Sequence, residues 1–222
     1  TYGSGAEAAY STRRLNGNVT NCMVIRRASD STTTTIGFDG SGNIDEAAIT
    51  TFCTGTTCTV YQWLDQSSNG NTATAASGQE PTIYTGGALV KENGKLALDF
   101  DGASDFFDAS SGISLTAITA ITLQTAQNTQ AQDNVYPLSM QSDNNNGWRQ
   151  HLTVNGSKAY RTRINTTNIE ILQDPLKKSL ISSVYNGVTG YMYVDGANEQ
   201  SSSASLSNTS AMSLEIGVSS NV

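Results

Sequence analysis

Short β-rich runs set off by tight-turn pairs recur along this chain, and they restrict its fold more than any other feature. Thr59 to Leu64, Ala88 to Lys91, Leu96 to Phe100, Ile118 to Leu123, His151 to Val154, Ala159 to Ile164, Ser179 to Tyr185 and Tyr191 to Val194 each read as a strand, being short and rich in β-branched and aromatic residues. Asn155-Gly156, Asn186-Gly187 and Asp195-Gly196 fall between such runs, and these pairs favour the positive φ angles of hairpin turns. Cys22 to Arg27 and Thr33 to Phe38 add two earlier strands, and Asp39-Gly40-Ser41-Gly42-Asn43 is turn chemistry. One helix follows. Asn43 can cap it, Asp45 and Glu46 suit its positive start, and Ala48, Ile49 and Phe52 form an apolar stripe. Many short strands and a single short helix predict an all-β fold, a two-sheet antiparallel sandwich or jelly roll. With three Pro, no composition shift and no internal repeat, residues 1–222 are expected to form one domain.

Charge narrows the partners. Twelve Lys and Arg against nineteen Asp and Glu give a formal charge of -7, the wrong sign for a nucleic-acid backbone. No run approaches the roughly 18 apolar residues of a membrane span, so neither nucleic acid nor membrane insertion is expected. The final run, Leu214-Glu215-Ile216-Gly217-Val218, alternates like a half-buried strand. A strand left uncovered invites pairing, so the expectation is a domain truncated at its C-terminal strands or one sharing strands with a neighbour.

Cys53 and Cys58 bracket a short loop that a disulfide can close, which would place the protein in an oxidising, extracellular setting. Two free thiols are the alternative. Metal ligation needs more sulfur or imidazole than this pair and the single His151 supply, so no metal and no cofactor are expected. Asp39, Ser41, Asn43 and Asp45 alternate as in a calcium loop, but Ile44 stands where such a loop needs Gly and Thr50 where it needs Glu.

Sugar recognition combines an aromatic ring with amides and carboxylates that meet hydroxyl groups. The run from Gln141 to Gln150 reads as a loop of that kind, and Asp143, Asn145, Trp148 and Arg149 are its candidate ligand-binding residues. An exposed polar loop with one packing Trp is the plainer alternative. Tyr191 and Tyr193 share a strand face and read as a core or cross-strand pair, and Trp63 as core. His151, alone in a strand, reads as a hydrogen-bonded structural residue, and Asp65, Asp99 and Asp101 as turn or strand-end acceptors. Asn18, Asn155, Asn165 and Asn208 begin Asn-x-Ser/Thr triplets, but Ser and Thr are abundant enough for these to arise by chance.

The blocks Arg26-Arg27-Ala28-Ser29-Asp30, Gly42-Asn43-Ile44-Asp45, Cys53 to Cys58 and Trp63-Leu64-Asp65-Gln66-Ser67-Ser68-Asn69-Gly70-Asn71 resemble the catalytic domain of the fungal α-L-arabinofuranosidase B family. The same region, with Ala9-Tyr10-Ser11 and Gly37-Phe38-Asp39-Gly40, also resembles concanavalin A-like (laminin G-like) domains of bacteriophage structural proteins. Both imply a concanavalin A-like jelly roll. A retaining glycosidase needs two carboxyl groups about 5 Å apart. The arabinofuranosidase resemblance puts its nucleophile Glu around Leu138 to Asp143, where Asp143 is the only carboxylate. It puts the acid/base Asp after a pair like Ile216-Gly217, where Ser219 stands, and two adjacent Cys of that enzyme site are absent. The expectation is therefore a non-catalytic structural or adhesion module of an extracellular or virion assembly, such as a tail fibre or capsid-surface protein. Its partners would be glycans or cell-surface carbohydrate, other structural subunits, or itself. The alternatives are an arabinofuranosidase-like glycoside hydrolase and a self-assembling filament subunit that shares strands.

Overall fold

In the computed structural model, which describes residues 5–111, 116–126, 135–143, 145–153, 158–206 and 212–219, strands and turns dominate and one helix occurs among the described residues. The chain divides into two compact units, Thr1–Ala109 and Ser110–Val222.

The first unit contains β1 (Asn21–Arg27), β2 (Thr33–Gly37), α1 (Glu46–Phe52), β3 (Cys58–Trp63), β4 (Ala73–Thr74), β5 (Thr82–Thr85), β6 (Ala88–Leu89), β7 (Lys91–Glu92), β8 (Lys95–Leu96) and the start of β9 (Phe107–Ser111), which runs across the boundary. Antiparallel β1 lies between β2 and β3, and β3 also pairs with β4 and β5. The cap of α1 is Asp45, whose carboxylate accepts from Ala48 N at 2.9 Å. Asn43 instead belongs to the preceding turn, donating its backbone N–H to Asp39 Oδ1. Turn and capping roles thus account for the calcium-like alternation. The helix ends at Cys53, which a disulfide joins to Cys58 at the start of β3 with Cα atoms 5.9 Å apart.

Two adjacent polar side chains tie the segment before β1 to the end of β3. Asp65 accepts from Ala9 N, Asn71 N, and both the N–H and hydroxyl of Ser67. Gln66, fully buried, accepts from Leu15 N and donates to Ser11 O and Arg13 O. Backbone groups with no strand partner are satisfied by side chains there. Trp63 is half-buried between Tyr10 and Phe107, with ring centroids 5.8 and 6.2 Å away.

The second unit contains β10 (Ile118–Gln124), β11 (Val135–Asp143), β12 (Asn146–Thr153), β13 (Ala159–Ile164), β14 (Thr167–Ile171), β15 (Ser179–Tyr185), β16 (Thr189–Val194), β17 (Ala197–Ser203) and β18 (Ser213–Ser219). They form two antiparallel sheets, β14-β13-β12-β11-β18 and β10-β15-β16-β17. Trp148, Leu152, Tyr160, Ile164 and Ile169 of the first sheet enclose one apolar cluster with Ile118, Ile181, Tyr185, Met192 and Val194 of the second. This is the expected β-sandwich. A polar bridge crosses its core: Gln150 accepts from Thr122 and donates to Ser183, which also bonds Thr162. The Asp195-Gly196 turn has positive φ at both residues, 54° and 74°, as its pair chemistry predicted. Asn155-Gly156 and Asn208 lie outside the described residues.

Candidate functional site

Residues whose strand neighbours point into the sandwich core must themselves point to the opposite face. In the first sheet of the second unit, that opposite face carries chemistry. Strand register aligns Asn168, Arg163, Arg149, Ser139 and Glu215 in one row across β14, β13, β12, β11 and β18. Glu170, Arg161 and His151 form the adjacent row. Arg149 and Ser139 are buried there, as are His151 and Tyr136.

The side chains engage one another. Ser139 Oγ donates to Glu215 Oε2 at 3.0 Å. Arg149 Nη1 donates to Gln141 Oε1 at 2.6 Å, and its guanidinium lies 5.0 Å from the Tyr136 ring centre. The Tyr136 ring meets His151 edge-on, and His151 Nδ1 is 3.4 Å from Arg161 Nη1. Arg161 forms an ion pair with Glu170, its Nε at 2.8 Å. Two irregularities in β11 shape this floor. The register shifts between Val135 and Leu138, around Pro137, which has no N–H for the ladder, and again between Gln141 and Asp143. At the second shift Gly147 has φ +124°, and a Cβ there would lie 2.2 Å from Met140 O. Only glycine fits opposite Gln141.

The predicted binding loop is therefore a β-hairpin of β11 and β12, and it separates the four candidate residues. Trp148 is buried in the core cluster, while Arg149, its neighbour, faces the opposite way. Asn145 occupies the turn, its Oδ1 3.3 Å from Arg163 Nη2. Asp143 pairs with Asn146 at the hairpin end, and its side chain lies outside the described residues. Trp148 and Arg149 do not share one platform, because adjacent strand residues point to opposite faces. Instead the structure joins Arg149 with Gln141, Ser139 and Glu215. Glu215 escaped the sequence reading although it is the polar member of the Leu214-Glu215-Ile216 alternation. His151 has the structural hydrogen bond expected of it, and Tyr191 and Tyr193 are half-buried on a sheet face whose alternate residues, Met192 and Val194, fill the core.

The acids considered in the first unit have structural duties. Burial opposes ionisation of Asp101, but N–H groups of Asp105, Ser104 and Ala103 and the Ser104 hydroxyl outweigh it and hold its carboxyl down at about 2. Asp65 is likewise held below the ordinary range by Ser67, Ala9 and Asn71, against the cost of burial. Asn165, in one of the Asn-x-Thr triplets, uses its amide to bind Gly147 N and Ser205 O. Among the described residues, no group of three or more His, Cys, Asp or Glu is arranged to hold a metal.

Residues 1–101 match the family model for the catalytic domain of α-L-arabinofuranosidase B. No curated protein matches the chain. Among solved structures, the chain resembles a glutamate-to-glutamine variant of a GH54 α-L-arabinofuranosidase soaked with 4-nitrophenyl α-L-arabinofuranoside, at 20% identity and a TM-score of 0.67, covering 96% of this chain and 55% of that one. A GH54 α-L-arabinofuranosidase soaked with a cyclic sulfate inhibitor gives 18%, 0.67, 96% and 55% in the same measures. An arabinofuranosidase complexed with arabinofuranosyl-α-1,2-xylobiose gives 18%, 0.62, 95% and 57%. The chain thus spans just over half the length of these structures, and at such identities the likeness establishes the fold. These findings overturn the expectation of a non-catalytic structural or adhesion module of a virion, whether tail fibre or capsid-surface protein: the matching family model and the solved neighbours are arabinofuranosidases. They likewise lend nothing to structural subunits or self-association as partners.

Proposed function

We propose that this chain is an arabinofuranosidase-like glycoside hydrolase domain acting on arabinofuranosyl glycans outside the cell. The observation that carries the reading is the match of residues 1–101 to an arabinofuranosidase catalytic domain, and the fold shared with solved arabinofuranosidases supports it. The face of β11, β12 and β18 supplies groups of the kind a furanoside needs: the partly exposed Gln141 amide, held by buried Arg149, for hydroxyl groups, and the partly exposed Glu215 carboxylate beside Ser139. Among the described side chains of the span where the resemblance puts the nucleophile, Ser139 and Gln141 face this floor, and neither ionises as a carboxylate. Glu215, directly across the ladder from Ser139, therefore takes one of the two carboxyl roles that such a hydrolysis needs in this reading. The disulfide between Cys53 and Cys58 suits an oxidising compartment.

The test is release of 4-nitrophenolate from 4-nitrophenyl α-L-arabinofuranoside by the chain and by Glu215→Gln. Turnover by the parent and a loss of roughly 10²-fold or more in the variant is the expected result, the usual scale for a lost acid, base or nucleophile. No turnover by the parent, or an undiminished variant, overturns the proposal.

A further inference from the structure

The first unit carries a groove of about 640 Å³ lined by Arg26, Tyr61, Thr74, Gln79, Phe106 and Asp108 among others, a size typical of small-ligand sites. An ion pair and a ring contact build its floor. Arg26 on β1 lies 2.5 Å from Glu80, a buried carboxylate that also accepts from the Thr59 hydroxyl at 2.6 Å. The Arg26 guanidinium stacks 4.4 Å from the centre of the Tyr61 ring. Asp108 is exposed, opposite Thr74 in the pairing of β4 with β9.

The charge count selects the ligand. Arg26 is the counter-ion of a buried carboxylate, so its positive charge is spent on Glu80. Asp108 adds a negative charge, which leaves the groove near -1 on a chain of net charge -7. An anionic ligand is repelled, whereas a neutral molecule rich in hydroxyl groups is not. Guanidinium N–H groups supply donors, the Asp108 carboxylate supplies acceptors, and the Gln79 amide and Thr74 hydroxyl supply both. Phe106 and Tyr61 offer apolar surface for the C–H face of a sugar ring. We infer that this groove of the first unit is a saccharide-binding site, selective for neutral glycan over glycan bearing carboxylates. It rests on the first unit alone and does not require that the chain hydrolyse anything.

Calorimetric titration of the full chain tests it, with neutral arabinoxylan oligosaccharides and oligogalacturonides of equal length as the two probes. Parallel titrations use Asp108→Ala and Gln79→Ala, which remove exposed or partly exposed polar groups without opening a core. Glu215→Gln is the control for the proposed hydrolysis, because binding that rests on the first unit alone persists when that carboxylate is removed. The expected result is binding of the neutral probe, weakened about tenfold in each groove variant, as loss of a hydrogen-bonding partner predicts, and retained in Glu215→Gln. Absence of binding, equal or tighter binding of the acidic probe, or binding indifferent to both groove variants overturns the inference.

Discussion

Replacing Gln66 by Met removes three hydrogen bonds while nearly keeping side-chain length. Gln66 accepts from Leu15 N at 2.7 Å and donates to Ser11 O at 2.9 Å and Arg13 O at 3.2 Å, and its side chain is fully buried. Each backbone partner left behind costs about 1 kcal/mol, the low end of the range, because residues 11, 13 and 15 are not fully buried. Three such losses approach 3 kcal/mol; the thioether returns part of that by apolar burial, so a net destabilisation of about 2 kcal/mol is expected. Gln66→Glu is worse at neutral pH even though it matches Gln in shape, because its carboxylate faces two carbonyl oxygens with no proton to donate. Urea unfolding gives the total, and hydrogen exchange on a peptide spanning residues 9–16 gives the location: Leu15 N–H loses protection first. A Met variant within about 0.5 kcal/mol of the parent, with Leu15 still protected, would show that something other than Gln66 holds this segment, since changes that small are typical of positions without a special role.

Other perturbations act elsewhere. Gly147→Ala drives a Cβ to 2.2 Å from Met140 O and 2.6 Å from Gln141 Cα at a φ of +124°, so about 3 kcal/mol of stability is lost, measured by thermal unfolding, and any activity falls with it. Burial, then the charges of Asp101, Asp99 and Glu80, raises the Asp105 carboxyl to about 6. The folded chain then holds that proton more tightly than the unfolded one, so stability falls as pH rises from about 4 to about 6. Asp105→Asn keeps the acceptor for Asp101 N and is expected to stabilise the protein above pH 6 with little effect at pH 4, as unfolding curves at both pH values will show. Removing the disulfide with Cys53→Ser and Cys58→Ser opens a short loop and costs about 2 kcal/mol, read from urea midpoints.

Most of the sandwich could be read from period-two alternation. β1, β2, β3, β10, β13, β15 and β16 stand close to where alternation put them, and the helix has its cap at Asp45, two residues after the Asn43 that the sequence suggests. The failures share a cause. Residues from Gln141 to Gln150 are dense in Asn, Asp and Gly, which ordinarily mark loops, yet here a bulge at Gly147 and a tight turn let the amides continue into β11 and β12. Leu96 to Phe100 reads as a strand by composition but forms only the short β8 and an isolated bridge from Asp99 to Thr82. Glu215 was visible as the polar residue of an alternating run. The resemblance points instead to Ser219, two residues beyond Ile216-Gly217, and only the register of β18 against β11 reveals that Glu215 and Ser139 face each other.

That register is also what ties the candidate site to the fold. In a strand one residue of slip exchanges the two faces, so moving β12 by one position would turn Arg149 and His151 into the core and Trp148 and Gln150 out of it. The core forbids this strongly: Trp148 and Leu152 belong to the apolar cluster, and Gln150 has its own partners in Thr122 and Ser183 across the sandwich. The bulge adds a second lock, since Gly147 is the residue of the hairpin that can sit against Met140 O without a clashing side chain. With β12 fixed, β11 is fixed by its pairing, and β18 follows. Arg149, Ser139 and Glu215 are thus held in one row by interactions made on the opposite side of the sheet. A substitution inside the sandwich, such as Gln150→Leu, is for that reason expected to disturb the row on the opposite face of the sheet without touching any of the residues that compose it.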